Sequence, residues 1–185
     1  MPRRGGGFHA GEFYHLYNRG VDRAAIFHEA ENYLYFARLL IAKAERLDVV
    51  LVAYCLMPNH FHLLARPGRD DTIGRFMTGV CGSYAQALNA QRRRSGALFQ
   101  GRYRAIHVDR DEYLAHLARY VHLNPVAAGL VSRPQDWPHF NYIDLREDGV
   151  LVGGIFADAS AYHRFVEAPQ TSELPASLKL AGSLL

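Results

Sequence analysis

The chain has 185 residues, 49% hydrophobic and 21% charged, which suits one domain with at most an appendage and excludes an intrinsically disordered chain. No internal repeat points to collagen or a coiled coil, and no apolar run reaches the roughly 20 residues of a membrane span. The net charge of +3 hides a polarity: Thr72 to Val108 contains six arginines and no Asp or Glu, so that stretch carries +6 and the remainder −3.

The opening Met1-Pro2-Arg3-Arg4 has no apolar segment behind its charges, so no signal peptide is expected. Phe13 to Asn18 alternates aromatic and polar residues and reads as a strand ended by Arg19-Gly20. From Ala30 to Leu47, Tyr33, Phe36, Ala37, Leu40, Ala44 and Leu47 recur at helical spacing. Val49 to Met57 is a β-branched apolar run, expected as a strand buried on both faces. Pro58-Asn59 supplies a turn into a paired strand, His60 to Arg66. Asp70-Asp71-Thr72 offers an N-cap to a helix from Ile73 to about Arg93, and Arg102 to Val108 reads as a fourth strand. Asp109 and Glu112 have the spacing of a capping box opening a helix at Arg110, which Pro125 should end.

The expected class is therefore α+β: a ferredoxin-like β-α-β-β-α-β antiparallel sheet, covered on one face by two helices, with an added helix carrying Tyr120. Residues 1–145 form the expected domain and 146–185 an appendage or tail. Within the latter, Leu151 to Phe156 reads as a short strand, Ala157 to Glu167 as a short helix and the end from Pro169 as loosely attached. Cys55 and Cys81 have neither zinc nor redox spacing and read as reduced core thiols of a cytosolic protein.

Only Lys43 and Lys179 among the basic residues are lysine. Arginine's planar fork suits bidentate phosphate contacts and stacking on bases, so the polarised basic stretch reads as the footprint of a nucleic acid. His60-Phe61-His62 on a strand projects both imidazoles from one face, at a spacing that lets two histidines share a metal ion. On the helix after Asp109, Leu114, Leu117, Ala118 and Val121 form an apolar stripe. Tyr120 and Asn124, four apart, stack on its flank, and such a helix could bring a phenol and a carboxamide oxygen to the histidines. Tyr113, seven residues earlier on the same face, competes as a nucleophile but lacks a carboxamide four residues on; His116 reads as a packing residue.

Met57-Pro-Asn-His-Phe-His-Leu-Leu64, Leu98-Phe-Gln-Gly-Arg-Tyr103 and Tyr120-Val-His-Leu-Asn-Pro-Val-Ala-Ala-Gly-Leu-Val131 resemble the three signature blocks of the single-tyrosine HUH transposases, most closely the REP-associated tyrosine transposase branch. The resemblance runs in order from about Phe8 to Tyr142, and Tyr14 to Gly20 fits the family's opening strand. Beyond Tyr142 it fades, and Trp137-Pro-His-Phe-Asn-Tyr142 departs from the family's small-residue motif.

The resemblance implies that His60 and His62 are paired metal ligands and Tyr120 the nucleophile, with Asn124 where other branches place a glutamine ligand. It implies cleavage and rejoining of single-stranded DNA, folded as a hairpin, through a 5′-phosphotyrosine. That ligand set suits Mg²⁺ or Mn²⁺ without excluding zinc or cobalt. Arg3, Arg4, Arg19, Arg92, Arg93, Arg94, Arg102 and Arg104 are the expected DNA contacts. The expected location is the bacterial cytoplasm, at the nucleoid, with no membrane partner and with monomer and homodimer both open. A replication-initiator or relaxase-type nickase uses the same residue types, but there the tyrosine often precedes or lies far from the histidine pair; here it follows His62 by 58 residues. A non-catalytic or domesticated binding module is the third reading, although the Gly-Phe-rich motif of RNA-recognition sheets is absent.

Overall fold

The computed structural model describes residues 7–109, 111–141 and 155–168, with the side chains at 111 and 112 excepted. The strands are β1 (Phe13–Arg19), β2 (Val49–Met57), β3 (His60–Pro67) and β4 (Arg104–Val108). The helices are α1 (Ala30–Leu47), α2 (Thr72–Gln91), α3 (Asp111–Ala127) and α4 (Ala159–Glu167). One four-stranded sheet has the order β2-β3-β1-β4 with every pair antiparallel, the ferredoxin-like arrangement expected.

Alternation decides which side chains meet which layer. Tyr14, Leu16, Leu56, Phe61 and Leu63 face α1 and α2, in one core with Phe36, Leu40, Phe76, Met77 and Val80. Phe36 and Phe76 have no exposed surface, and burying each contributes roughly 1.5–3 kcal/mol. The opposite face is not left to solvent. Val52, Ala53, Cys55, Met57 and Leu64 pack there against Leu114, Leu117, Ala118 and Val121 of α3. Both Val52 and Ala53 can point that way because the β2–β3 register shifts between Leu51 and Ala53, inserting one residue. α3 is thus a third layer over the second face. α4 seats Tyr162 and Val166 in the same core, both essentially without exposure.

Local expectations fail at four places. Asp71 sits at the N-cap of α2 in a left-handed conformation and its side chain caps nothing. It accepts instead from the Phe8 amide at 3.2 Å, while Asp70 accepts from the Ala10 amide at 2.7 Å, so the acidic pair ties down the N-terminal segment. α2 stops at Gln91, two residues before Arg93, whose φ is 48°. β4 begins at Arg104 rather than Arg102. Pro125 lies inside α3 and does not end it. Proline forfeits only one N–H, and in the last turn the Asn124 carbonyl still accepts from the Ala128 amide at 2.9 Å, which carries the helix to Ala127. The expected strand at Leu151, the tail from Pro169, and Arg3, Arg4 and Arg110 lie outside the described residues, as does the Glu112 side chain of the expected capping box. Among the described residues no helix is long and apolar enough to cross a membrane.

Candidate active site

The strand register arranges the α3-facing side chains in rows. Tyr17 of β1 lies between Arg104 of β4 and His62 of β3, and Cys55 of β2 follows His62. One row on, Arg19, His60 and Met57 are neighbours; on the other side, His15 lies between Ile106 and Leu64. Phe61 points to the opposite core, so the histidine pair shares one face. α3 crosses above it. The Tyr120 and His62 rings meet nearly at right angles at a centroid distance of 5.5 Å, and Asn124 Oδ1 lies 3.4 Å from His60 Nε2. The structure thus brings together His60, His62, Tyr120 and Asn124. Tyr113 packs against the second core, and His116 packs on Phe165.

Burial sets the protonation of the pocket. His60 is held down to about 4, its burial being the largest cause, with Asn124 opposing and Arg19 adding to the shift. His62 is pushed well below 6.5 by burial and by the neighbouring His15 and His60. Both rings are therefore neutral near pH 7, the form that can ligate a metal. Burial likewise raises the Tyr120 phenol above its ordinary 10, with the Asn124 carboxamide acting against it and Tyr17 and Cys55 with it.

Four polar groups have orientations that need explaining. The Asn59 amide nitrogen donates to the Arg23 carbonyl at 3.3 Å, which fixes its oxygen 2.7 Å from His60 Nδ1. An amide oxygen only accepts, so His60 carries its hydrogen on Nδ1 and turns a lone pair on Nε2 toward another lone pair, on Asn124 Oδ1. The same site leaves His62 Nε2, Tyr120 Oη and Asn124 Nδ2 buried without a hydrogen-bond partner. Buried polar atoms are nearly always paired, so this cluster marks a place built for something else. Two imidazole lone pairs and a carboxamide oxygen fit a divalent cation. The set contains no acid or thiol, and among the described residues no group of three or more His, Cys, Asp or Glu could hold a metal.

Beside the histidines, Arg19, Arg102 and Arg104 line a cleft of about 120 Å³ with Tyr17, Asn18 and Gln100. Arg19 Nε donates to the Gln100 side chain, while Arg19 Nη1 is buried without a partner. Arg92, Arg93 and Arg94 follow the end of α2, exposed, where Arg92 and Arg94 act on His28; they do not line the cleft. Among the described residues no salt bridge joins any of these six arginines to a carboxylate. Sequence reasoning missed His15 and Asn59. His15 is fully buried, with its Nε2 2.9 Å from His62 Nδ1. Its signal was the alternation His15-Leu16-Tyr17 on a strand that the ferredoxin-like order places beside the histidine pair.

Residues 12–124 match the model of a family described as IS200-like transposases. A Haemophilus influenzae protein described as a REP-associated tyrosine transposase is 29% identical over 101 residues, covering 49% of this chain and 57% of that protein, under two thirds of its length. A solved structure of a REP-associated tyrosine transposase bound to a REP hairpin superposes with a TM-score of 0.66 at 17% identity, covering 78% of this chain and 84% of that one, and shares the fold. The family match spans well over half of the chain, from the residue before β1 to Asn124, and so takes in every residue of the pocket just described: the chain belongs to the IS200-like transposase family.

Proposed function

We propose that this protein cleaves and rejoins single-stranded DNA, presented as a hairpin, using Tyr120 as nucleophile and a divalent cation, Mg²⁺ or Mn²⁺, held by His60, His62 and Asn124. The observation that carries the reading is the convergence of the His60 and Asn124 lone pairs with the unpartnered His62 Nε2 and Tyr120 Oη in one buried pocket. A cation bound there would neutralise the phosphate oxygens as charge builds on them.

Tyr120 Oη attacks the phosphorus as the bond to the 3′ oxygen breaks. That leaves a free 3′ hydroxyl and a 5′-phosphotyrosine, which conserves the bond energy so that a 3′ hydroxyl can reverse the step without ATP. Because burial raises the phenol's pKa, deprotonation must be coupled to substrate and cation binding. Anchorage on α3 holds the ring nearly perpendicular to that of His62, which would pre-position its oxygen as a nucleophile. The cleft of Arg19, Arg102 and Arg104 beside the histidines suits the phosphates flanking the scissile one. The fold shared with a transposase solved on a REP hairpin supports a hairpin as the form in which the strand is presented. Duplex DNA would have to be unstacked at a cost of a few kcal/mol per step.

The test is covalent capture. Labelled single-stranded hairpin DNA with Mn²⁺ should become attached to the native protein and not to Tyr120→Phe, which removes only the attacking oxygen. Attachment to the Phe variant would transfer the role to Tyr113; full cleavage in excess EDTA would sink the metal mechanism.

A further inference from the structure

The two imidazoles of the pair are held differently. His60 has an amide oxygen on its Nδ1, and an amide oxygen can do nothing but accept. His62 has no such partner. Its Nδ1 faces another imidazole nitrogen, Nε2 of His15, at 2.9 Å, with the rings stacked at a centroid distance of 5.1 Å. Both rings are fully buried and neither has a carboxylate partner among the described residues. One hydrogen lies between them, and it can belong to either ring. If His15 donates it, His62 must carry its own hydrogen on Nε2, which leaves a buried N–H without an acceptor and no lone pair for a cation. If His62 donates it, Nε2 presents a lone pair, as the Asn59 contact already makes Nε2 of His60 do, and the buried N–H without an acceptor is then Nδ1–H of His15. The two arrangements are equal in hydrogen bonds, and the lone pair a cation would take decides between them.

We infer that His15 is the positioning residue of the metal centre: its Nε2 accepts the Nδ1–H of His62 and holds that ring in the tautomer whose Nε2 lone pair is free for a divalent cation. The inference rests on the metal reading proposed above. His15 is not itself a ligand: its Nε2 lone pair accepts from His62, so its one hydrogen sits on Nδ1, which meets no partner and has no lone pair to give. Its own orientation is set by the β1–β3 pairing and by Tyr17, whose ring lies 5.0 Å away. Asn59 and His15 then do the same work for the two ligands, one from the turn before β3 and one from the neighbouring strand. Acceptors behind ligating histidines commonly carry 10–100-fold of a site's metal affinity.

The experiment has two parts on the full chain. First, imidazole ¹⁵N chemical shifts of His62 are measured in the metal-free native protein, with assignment by loss of the signal in His62→Gln. Second, the Mn²⁺ affinity of the native protein, His15→Phe and His15→Gln is measured by electron paramagnetic resonance. The expected result is the Nδ1–H tautomer in the native protein, an affinity lower by roughly 10–100-fold in the Phe variant, and recovery in the Gln variant, whose carboxamide oxygen restores an acceptor. An Nε2–H tautomer in the native protein, or native affinity in His15→Phe, overturns the inference. If His15→Phe does not fold, the native tautomer decides alone. Absence of Mn²⁺ binding by the native protein overturns the metal reading and this inference with it, and is told apart because it appears without any substitution.

Discussion

At the scale of single residues the pocket leaves buried polar atoms unpaired. Tyr120 Oη is buried without a partner in hydrogen-bond geometry, although the Asn124 carboxamide is near enough to act on it, and an unmade hydrogen bond at such a site costs about 1–3 kcal/mol. Tyr120→Phe should therefore raise the thermal midpoint of the metal-free protein while abolishing the covalent DNA product. A midpoint lowered by the substitution would mean that the hydroxyl already has a structural partner. Replacing His60 or His62 by Ala should abolish Mg²⁺- or Mn²⁺-dependent cleavage, because one imidazole and one neutral oxygen are a poor cage for a hard cation. Asn124→Ala should be milder, since water can stand in for its oxygen; equal losses in all three would show Asn124 to be doing more than ligating. His60, His62, Tyr120 and Asn124 were legible because their spacings within one strand and one helix already put each pair on a common face. His15 was not, because its link to His62 spans 47 positions and exists only once β1 and β3 pair.

At the scale of elements, α4 is the most informative. Its Tyr162 is fully buried, and the Tyr162 hydroxyl lies 2.7 Å from Nδ1 of His122. On its other side His122 donates from Nε2 to Asn141 Oδ1 at 3.0 Å. Asn141 in turn donates to the Val52 carbonyl and accepts from the Tyr54 amide, so α4, α3 and β2 are joined through one polar chain inside an apolar core. Tyr162→Ala should cost about 3–5 kcal/mol, the range for deleting a large buried aromatic, and should speed hydrogen exchange along α3. Urea denaturation checks it, and a loss under 1 kcal/mol, well short of that range, would show α4 to be an ornament. Helices and strands were readable from apolar period because α1, α2 and the core strands bury one or both faces. What defeated local reading was tertiary competition. The Asp70 and Asp71 carboxylates found backbone amides 60 or more residues away, and Pro125 was tolerated where few helical bonds remained to lose.

At the scale of the whole molecule two fields act, one inside and one outside. Inside, burial holds His15 near 3 and His60 and His122 near 4, against 6.5 in an open chain. Below pH 6.5 the unfolded chain takes up protons that the native pocket refuses, so native stability is full above that pH and declines as pH falls toward 4. Each histidine adds up to about 1.4 kcal/mol per pH unit to the decline. Denaturant midpoints of the metal-free protein at pH 7.5, 6 and 5 should fall in that order, and a flat series would mean that these histidines already titrate in the fold. Outside, six arginines without acidic partners among the described residues are divided between the cleft beside the histidines and the end of α2. Each phosphate they neutralise on a single strand should steepen the salt dependence of binding by roughly 0.7 log units per log unit of salt. Removing charge at Arg92, Arg93 and Arg94 together should flatten that slope by up to about 2 and weaken all sequences alike, because an exposed arginine cluster reads charge and not bases. Removal of Arg102 or Arg104, which line the cleft beside the histidines, should instead damage cleavage more than affinity. Salt titrations on hairpin, linear single-stranded and duplex forms of one sequence separate these effects. Equal affinity for all three forms, or a slope untouched by the triple substitution, would place the DNA on a different face of the sheet.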